Sequence, residues 1–299
     1  MEILVLYGGE SEERAVSIRS GKRVCAALRK KGHTVIGVDA RGVAPSPSLV
    51  EKAQHADAVF LCFHGGAGED GRWQAALEEK GIFHYTGSDA AASALAMDKP
   101  RAKMQVMRFG VPCAQGVVWR AGISPPAVDL PCVIKPPNGG SSIGFRVIEN
   151  VEEWEKLVPL GDLLCETYLP GREYSVGILA QRALPPIEIL PIGGVYDYAH
   201  KYTQNATREL CPAPVSPFKL AKLQDLALIC FRALGLRDFA RIDFKEDAAG
   251  EIYFLEANTL PGMTQTSLLP LAAGVRGVDF LQLCEKIAEF AMQRKVWNT

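Results

Sequence analysis

Arg241, Asp243, Glu256 and Asn258 lie in two β-rich runs, Arg241-Ile242-Asp243-Phe244 and Tyr253-Phe254-Leu255-Glu256-Ala257-Asn258, with a turn expected around Ala249-Gly250. Side chains of a strand alternate faces with period two, so Arg241 and Asp243 share a face, as do Glu256 and Asn258. A hairpin turning at Ala249-Gly250 sets Asp243 opposite Glu256 and Arg241 opposite Asn258. One face then carries two carboxylates, an amide oxygen and a guanidinium, and the other carries Ile242, Phe244, Leu255 and Ala257. Magnesium takes oxygen ligands of this kind in an octahedral shell that phosphate oxygens complete. A surface hairpin closed by a salt bridge is the plainer alternative for the same residues.

A second stretch, Lys135-Pro136-Pro137-Asn138-Gly139-Gly140-Ser141-Ser142-Ile143-Gly144, could cradle an anion. Its glycines let backbone N–H groups approach closely, its serines add hydroxyl donors, and Lys135 adds charge. It lacks the G-K-[S/T] ending of a P-loop and joins two expected strands rather than a strand and a helix. A flexible hairpin loop fits it equally well. Lys99 and Lys103 stand one helical turn apart, a spacing that more often marks a solvated face. Glu166 and Glu173 flank Pro170-Gly171, as suits a chain crossing between domains, and an exposed pair of acids is the default. His64 stands where an expected strand enters a glycine-rich loop, a ligand-binding location in α/β folds. His33, His55 and His84 have no such setting, whereas Tyr196, Tyr198, Lys201 and Tyr202 crowd one polar loop and suggest a lid over a site.

The elements that must position these groups change character along the chain. Up to about residue 87, apolar runs at 3–7, 34–38 and 58–63 alternate with amphipathic stretches at 15–31 and 72–80. Strands alternating with helices imply a parallel sheet covered on both faces, with ligands bound at the carboxyl ends of its strands. The loops there are Gly8–Glu13 in the first case and His64 to Gly71 in the second. From Ser88, a potential helix cap, the pattern turns to helices near Pro100 and mixed strands at 132–135, 145–148, 163–166 and 173–179. Asn150 with Glu153 reads as a capping box. A polar loop over 194–212 precedes a helix at 217–234 capped by Ser216, and an amphipathic helix over about 279–294 ends the pattern. The fold class is therefore α/β, beginning with a doubly wound parallel-sheet domain.

Composition narrows the function classes. A chain of 299 residues can bury a large core without disulfide or metal staples. Its net charge of -1 supplies no general attraction for nucleic acid or a membrane surface. The eight cysteines are scattered, with no C-x-x-C, and read as small buried hydrophobes. The apolar runs are too short to span a bilayer, and the first residues read as a strand rather than a signal peptide, so a reduced, cytoplasmic setting is expected. A dinucleotide-binding oxidoreductase is disfavoured because no G-x-G-x-x-G follows the first strand.

Together these segments resemble the D-alanine–D-alanine ligases of the ATP-grasp superfamily. The matching pieces are Gly8-Gly9-Glu10-Ser11-Glu12-Glu13-Arg14-Ala15-Val16-Ser17, the loop from His64-Gly65 to Glu69-Asp70-Gly71, and Met97-Asp98-Lys99. Val133-Ile134-Lys135-Pro136, Gly140-Ser141-Ser142-Ile143-Gly144, Tyr196-Asp197-Tyr198 and Lys201-Tyr202 follow. Arg241-Ile242-Asp243, Glu256-Ala257-Asn258-Thr259 and Pro261-Gly262-Met263-Thr264 complete the set, in order over nearly the whole chain.

The resemblance implies an α/β N-terminal domain at 1–90 and a two-subdomain α+β ATP-grasp part at 91–169 and 170–299. It implies ATP as phosphoryl donor, two magnesium ions for which manganese may substitute, D-alanine as substrate, and a homodimer. By the same resemblance Lys99, Lys135, Ser142 and Lys201 bind ATP, Glu166 to Leu169 meets adenine, and Glu173 holds the ribose. Asp243, Glu256 and Asn258 resemble the metal ligands. Glu13, with His64 nearby, matches the grip on the first D-alanine, Ser267 and Leu268 the grip on the second, and Arg241 with the Gly262 N–H the oxyanion hole. Ser141 and Tyr202 resemble the link from lid to Glu13. Departures are Ala15, where many relatives have Glu, and His200, where an acid is frequent. An ATP-grasp ligase making a depsipeptide or using another amino acid, and a nucleotide-binding protein without catalysis, are the alternatives.

Overall fold

The computed structural model describes residues 1–140, 144–191 and 207–297. Strands β1 (Glu2–Gly8), β2 (Thr34–Ala40) and β3 (Ala58–Leu61) form a parallel sheet in the order β2-β1-β3. Ile3, Leu4, Val5 and Leu6 are all buried, as expected of a strand covered on both faces. The strand expected over 58–63 stops pairing at Leu61, although the Cys62 N–H still donates to the Leu6 carbonyl at 2.8 Å. Helix α1 (Arg14–Lys30) packs on β1 through Gly21. A Cβ at Gly21 would lie 2.2 Å from the Tyr7 ring. Alanine there gains about 1 kcal/mol of helix propensity but overpacks the core at a cost of roughly 1–3 kcal/mol or more. Gly21→Ala is therefore expected to lower the urea midpoint, and an unchanged or raised midpoint would show that the Tyr7 ring yields freely.

Helix α2 (Pro47–His55) escapes the sequence pattern because it buries only Leu49 and Ala53, too few to print a period. Helix α3 (Arg72–Glu78) follows the glycine-rich loop after β3. Helices α4 (Ala90–Met97) and α5 (Lys99–Met107) are capped by Asp89 and Asp98, which accept from Ala92 N and Arg101 N. The cap of α4 is thus Asp89 rather than Ser88, whose hydroxyl instead accepts the Arg237 N–H at 3.3 Å.

Strands β4 (Gly116–Trp119), β5 (Cys132–Lys135), β6 (Arg146–Ile148) and β7 (Leu163–Thr167) make an antiparallel sheet in the order β4-β7-β5-β6. Helix α6 (Val151–Glu155) starts at Asn150, whose Oδ1 accepts from Glu153 N at 2.9 Å while its Nδ2 donates back to Glu153 Oε1 at 3.1 Å. The third sheet contains β8 (Glu173–Leu179), β9 (Arg182–Ala183), β10 (Ile187–Pro191), β11 (Thr207–Leu210), β12 (Phe239–Glu246) and β13 (Ile252–Asn258). Its order is β11-β10-β8-β12-β13, with β9 beside β8. The polar loop expected over 194–212 thus includes a strand, and residues 194–206 of it lie outside the described residues.

Helix α7 (Pro217–Ala233) is capped by Ser216, and α8 (Leu268–Val275) and α9 (Phe280–Trp297) close the chain. The cores cut across continuous segments. Leu269 and Ala272 of α8 and Leu283 and Ile287 of α9 pack with Leu4 and Phe60 of the parallel sheet. Ala96 of α4 and Val106 of α5 pack with Ile242 and Phe254 of the third sheet.

Candidate active site

The hairpin of β12 and β13 pairs Asp243 with Glu256 and Arg241 with Asn258, the register expected from the alternation. A bulge follows Asp243, so that Phe254 rather than Leu255 stands opposite Phe244. Leu255, expected on the apolar face, therefore turns into the cleft, while Phe254 enters the core. A bulge re-aims a side chain in this way by adding one residue to one strand. Asp243 is buried and accepts hydrogen bonds from Arg241 Nε at 3.0 Å, Arg241 Nη2 at 2.9 Å, Ser175 Oγ at 2.7 Å and Asn258 Nδ2 at 3.1 Å. Asp243, Glu256 and Asn258 offer hard oxygen donors on one wall, which fits a magnesium ion once the Asn258 amide presents its oxygen; turning the amide over leaves its heavy-atom positions in place. Among the described residues no three His, Cys, Asp or Glu side chains form a metal-binding group, so the amide is needed to complete this set.

A cleft of about 490 Å³ opens between the second and third sheets, lined by Lys99, Lys135, Glu166, Leu169, Glu173, Asp243 and Glu256. Lys99 and Lys103 are only 7% and 4% exposed, so the solvated-face reading of that pair fails. Lys99 Nζ donates to the Gly139 carbonyl of the glycine-rich loop and lies 3.6 Å from Glu256. Lys103 Nζ donates to Glu166 Oε1, and Lys135 Nζ lies 2.7 Å from Glu166 Oε2. Burial drives the Lys103 pKa down to about 8, helped by the neighbouring Lys135 charge. Burial alone would raise Glu166, but Lys135 and Lys103 outweigh it and hold the carboxyl below its ordinary range. Glu173 pairs with Lys245 at 3.1 Å on the same cleft wall.

A smaller recess of about 90 Å³ adjoins this cleft and is lined by Glu13, His64, Glu69, Arg241, Gly262, Ser267 and Leu268, among others. Gly65 serves here because its φ is +66° and a Cβ would lie 2.6 Å from Glu13 Oε2. The buried His64 ring meets Ser20 Oγ at 3.0 Å through Nε2 and the Leu260 carbonyl at 3.1 Å through Nδ1. A carbonyl only accepts, so Nδ1 carries the proton, and Ser20, whose oxygen already accepts from Met263 N, donates to Nε2. His64 thus joins α1 to the loop carrying Gly262, a positioning role. Ser267 Oγ accepts the Thr264 N–H at 2.9 Å, close to the same loop. Glu69 accepts the Gly65 N–H at 2.6 Å, and burial together with the Glu13 charge pushes its pKa up to about 8. Ser141, Ser142, Lys201 and Tyr202 lie outside the described residues.

Burial lowers the His64 pKa from 6.5 to about 4, the nearby Glu13 charge opposing that shift. Because the folded value is depressed, the neutral ring stabilises the fold fully above pH 6.5, and that contribution is lost as pH falls towards 4. The change is worth roughly 3 kcal/mol at about 1.4 kcal/mol per pH unit. Glu69 runs the other way, its contribution being complete below 4.5 and lost as pH rises towards 8. The stability gap between wild type and His64→Gln, read from urea unfolding, is expected to narrow from pH 6.5 to pH 4. A gap independent of pH would contradict a buried neutral ring.

Glu69, Ser20, Lys103 and Lys245 went unassigned in the sequence. Glu69 sits in a glycine-rich loop that drew attention for its histidine, and the spacing of Lys103 to Lys99 places the two on one face without showing that the face is buried. Ser20 is an ordinary helix residue with no local signal.

Comparison with known proteins bears on this arrangement. The family model described as the D-ala D-ala ligase C-terminus matches residues 123–289. A D-alanine--D-alanine ligase of Methylacidiphilum infernorum is 40% identical over 297 residues, covering 98% of this chain and 96% of that protein. One from Aquifex aeolicus is 41% identical, covering 95% of this chain and 98% of that protein. The crystal structure of D-alanine--D-alanine ligase from Bacillus anthracis complexed with ATP superposes with a TM-score of 0.85 at 28% identity, covering 100% of both chains. The VanG D-Ala:D-Ser ligase from Enterococcus faecalis gives 0.81 at 25% identity, covering 97% of this chain and 99% of that one.

Proposed function

The chain belongs to the D-alanine–D-alanine ligase family, and on that premise we propose that it uses ATP to join two D-alanines into D-alanyl-D-alanine for peptidoglycan precursor synthesis. The observation that carries this reading is the shared wall between two recesses. Asp243 faces the large cleft, and Arg241 and Asn258 of the same hairpin face the small one. A nucleotide in the first would present its terminal phosphate to a carboxylate in the second.

The reaction has two steps. A carboxylate oxygen of the first D-alanine takes the γ-phosphoryl group, releasing ADP, and the amine of the second D-alanine displaces phosphate from the acyl carbon. Lys99 and Lys135 receive the phosphates, the segment from Glu166 to Leu169 meets the adenine, and Glu173 receives the ribose. Glu13 holds the first ammonium, and Ser267 and the backbone of Leu268 hold the second carboxylate. Arg241 and the Gly262 N–H stabilise the oxyanion, a task suited to donors fixed in advance by Asp243 and by the loop that His64 anchors. Asp243, Glu256 and Asn258 would hold magnesium, or manganese in its place, which when bound neutralises charge on the transferring phosphoryl group. No described helix is long and apolar enough to cross a membrane. We take the assembly to be a homodimer and the setting cytoplasmic, readings that light scattering and fractionation test.

The direct assay is phosphate release from ATP and magnesium with D-alanine, L-alanine, or D-alanine plus D-lactate. Turnover with D-alanine alone and dipeptide in the product is expected. Turnover only with a different acceptor would overturn the dipeptide assignment while leaving the ligase chemistry.

A further inference from the structure

Glu209, an acidic side chain of the small recess, has no role in that mechanism. In β11, Glu209 stands opposite Ile189 of β10; Ile189 stands opposite Glu173 of β8; and Glu173 stands opposite Lys245 of β12. Residues directly opposed across strands share a face, so Glu209 lies on the face that carries Lys245, Asp243 and Arg241. It lines the recess with Glu13, Arg241 and Ser267. Its carboxylate finds only its own backbone N–H among the described residues, and burial raises its pKa. A partly desolvated carboxylate without a cation is an unfavourable arrangement that a cationic ligand group relieves.

The charges of the recess point to which group that is. Three carboxylates line it, those of Glu13, Glu69 and Glu209. Glu69 is engaged by the Gly65 N–H at 2.6 Å, which leaves Glu13 and Glu209 as the acids that two amino acids would meet. Arg241 is turned onto Asp243, and His64 is neutral. Two zwitterionic amino acids bring two ammonium groups, one for each acid. Glu13, beside Gly65 and Gly140, takes the first of them.

We propose that Glu209 receives the amino group of the second amino acid and thereby selects an amine over a hydroxy acid as the acceptor. The assignment rests on the ligase reading above. A site built around a charge-assisted hydrogen bond rejects an analogue that lacks the donor, because the acid is then left unpaired. Glu209 acts by binding and orienting, upstream of the chemistry at the acyl carbon.

The test compares the full-length wild type with Glu209→Gln, Glu209→Ala and Glu209→Asp under ATP and magnesium, with D-alanine alone and with D-alanine and D-lactate in competition. Glu209→Gln is expected to raise the KM of the second D-alanine site about 10-fold or more, with the KM for ATP and the melting temperature unchanged. The ratio of dipeptide to D-alanyl-D-lactate is expected to fall by a similar factor, Glu209→Ala to behave likewise, and Glu209→Asp to recover part of both. A second-site KM within twofold of wild type, with an unchanged product ratio, would overturn the assignment while leaving the ligase intact. A wild type that makes no dipeptide would instead overturn the ligase reading, and this assignment with it.

Discussion

Arg241→Ala is expected to reduce turnover by about 1,000-fold or more while leaving the Kd for ATP nearly unchanged. Removal of one preorganised oxyanion donor typically costs about 100- to 1,000-fold in kcat, and a charged donor in a closed recess belongs at the upper end. Arg241 is aimed by two hydrogen bonds to Asp243, at 3.0 and 2.9 Å, so its planar fork enters the recess in one orientation. It does not line the large cleft, whose wall includes Asp243 instead. The two measurements therefore separate. Steady-state kcat should collapse, and calorimetric titration with ATP and magnesium should give a Kd within a few-fold of wild type. Arg241→Lys should recover little, because an ammonium cannot reproduce the bidentate geometry that fixes the direction of the donor. A lost affinity for ATP in Arg241→Ala would assign the residue to the nucleotide and contradict its oxyanion role.

Lys103→Met is expected to destabilise the protein by about 3–5 kcal/mol, the range for breaking a buried ion pair from one side. Lys103 and Glu166 are 5% and 4% exposed in their side chains, and Glu166 is shared with Lys135 at 2.7 Å. Removing Lys103 leaves a buried carboxylate with a single cation. Glu166 is then drawn further onto Lys135, the lysine proposed to meet phosphate, so the KM for ATP should also rise. Urea unfolding of Lys103→Met, Glu166→Gln and the double variant separates the two effects. The double variant should regain part of the lost stability, since no unpaired charge remains, without regaining affinity for ATP. A destabilisation below about 1 kcal/mol in Lys103→Met would mean that water reaches the triad and that the lysine does not set the charge of Glu166.

The hairpin at the centre of the site was legible in the sequence because strand alternation and a glycine turn determine both face and register. Asp243 opposite Glu256 and Arg241 opposite Asn258 follow from counting. Counting does not reveal a bulge, and so Leu255 was expected on the wrong face. The capping residues Asn150 and Ser216 were likewise readable, since a cap acts within three residues of its helix start. Lys103 was not, because helical spacing shows which residues share a face and not whether that face is buried. Helix α8 hides its nature behind Pro270, which a helix accepts in its first turn and which elsewhere signals a break. His64 was legible as a site residue but not as one whose two ring nitrogens are both engaged within the protein. Its partners, Ser20 and Leu260, are far from it in the chain. Glu209 depends on pairing across four strands, information that no local pattern contains.

The most direct measurement follows one oxygen atom. D-alanine labelled with oxygen-18 in its carboxylate is supplied with ATP and magnesium, and the released phosphate and the peptide are weighed by mass spectrometry. Activation through an acyl phosphate transfers one carboxylate oxygen to phosphorus, so each dipeptide formed should be accompanied by one phosphate carrying one oxygen-18. Dipeptide accompanied by unlabelled phosphate, or labelled phosphate formed with an acceptor other than D-alanine, would contradict the ligation proposed for these two adjoining recesses.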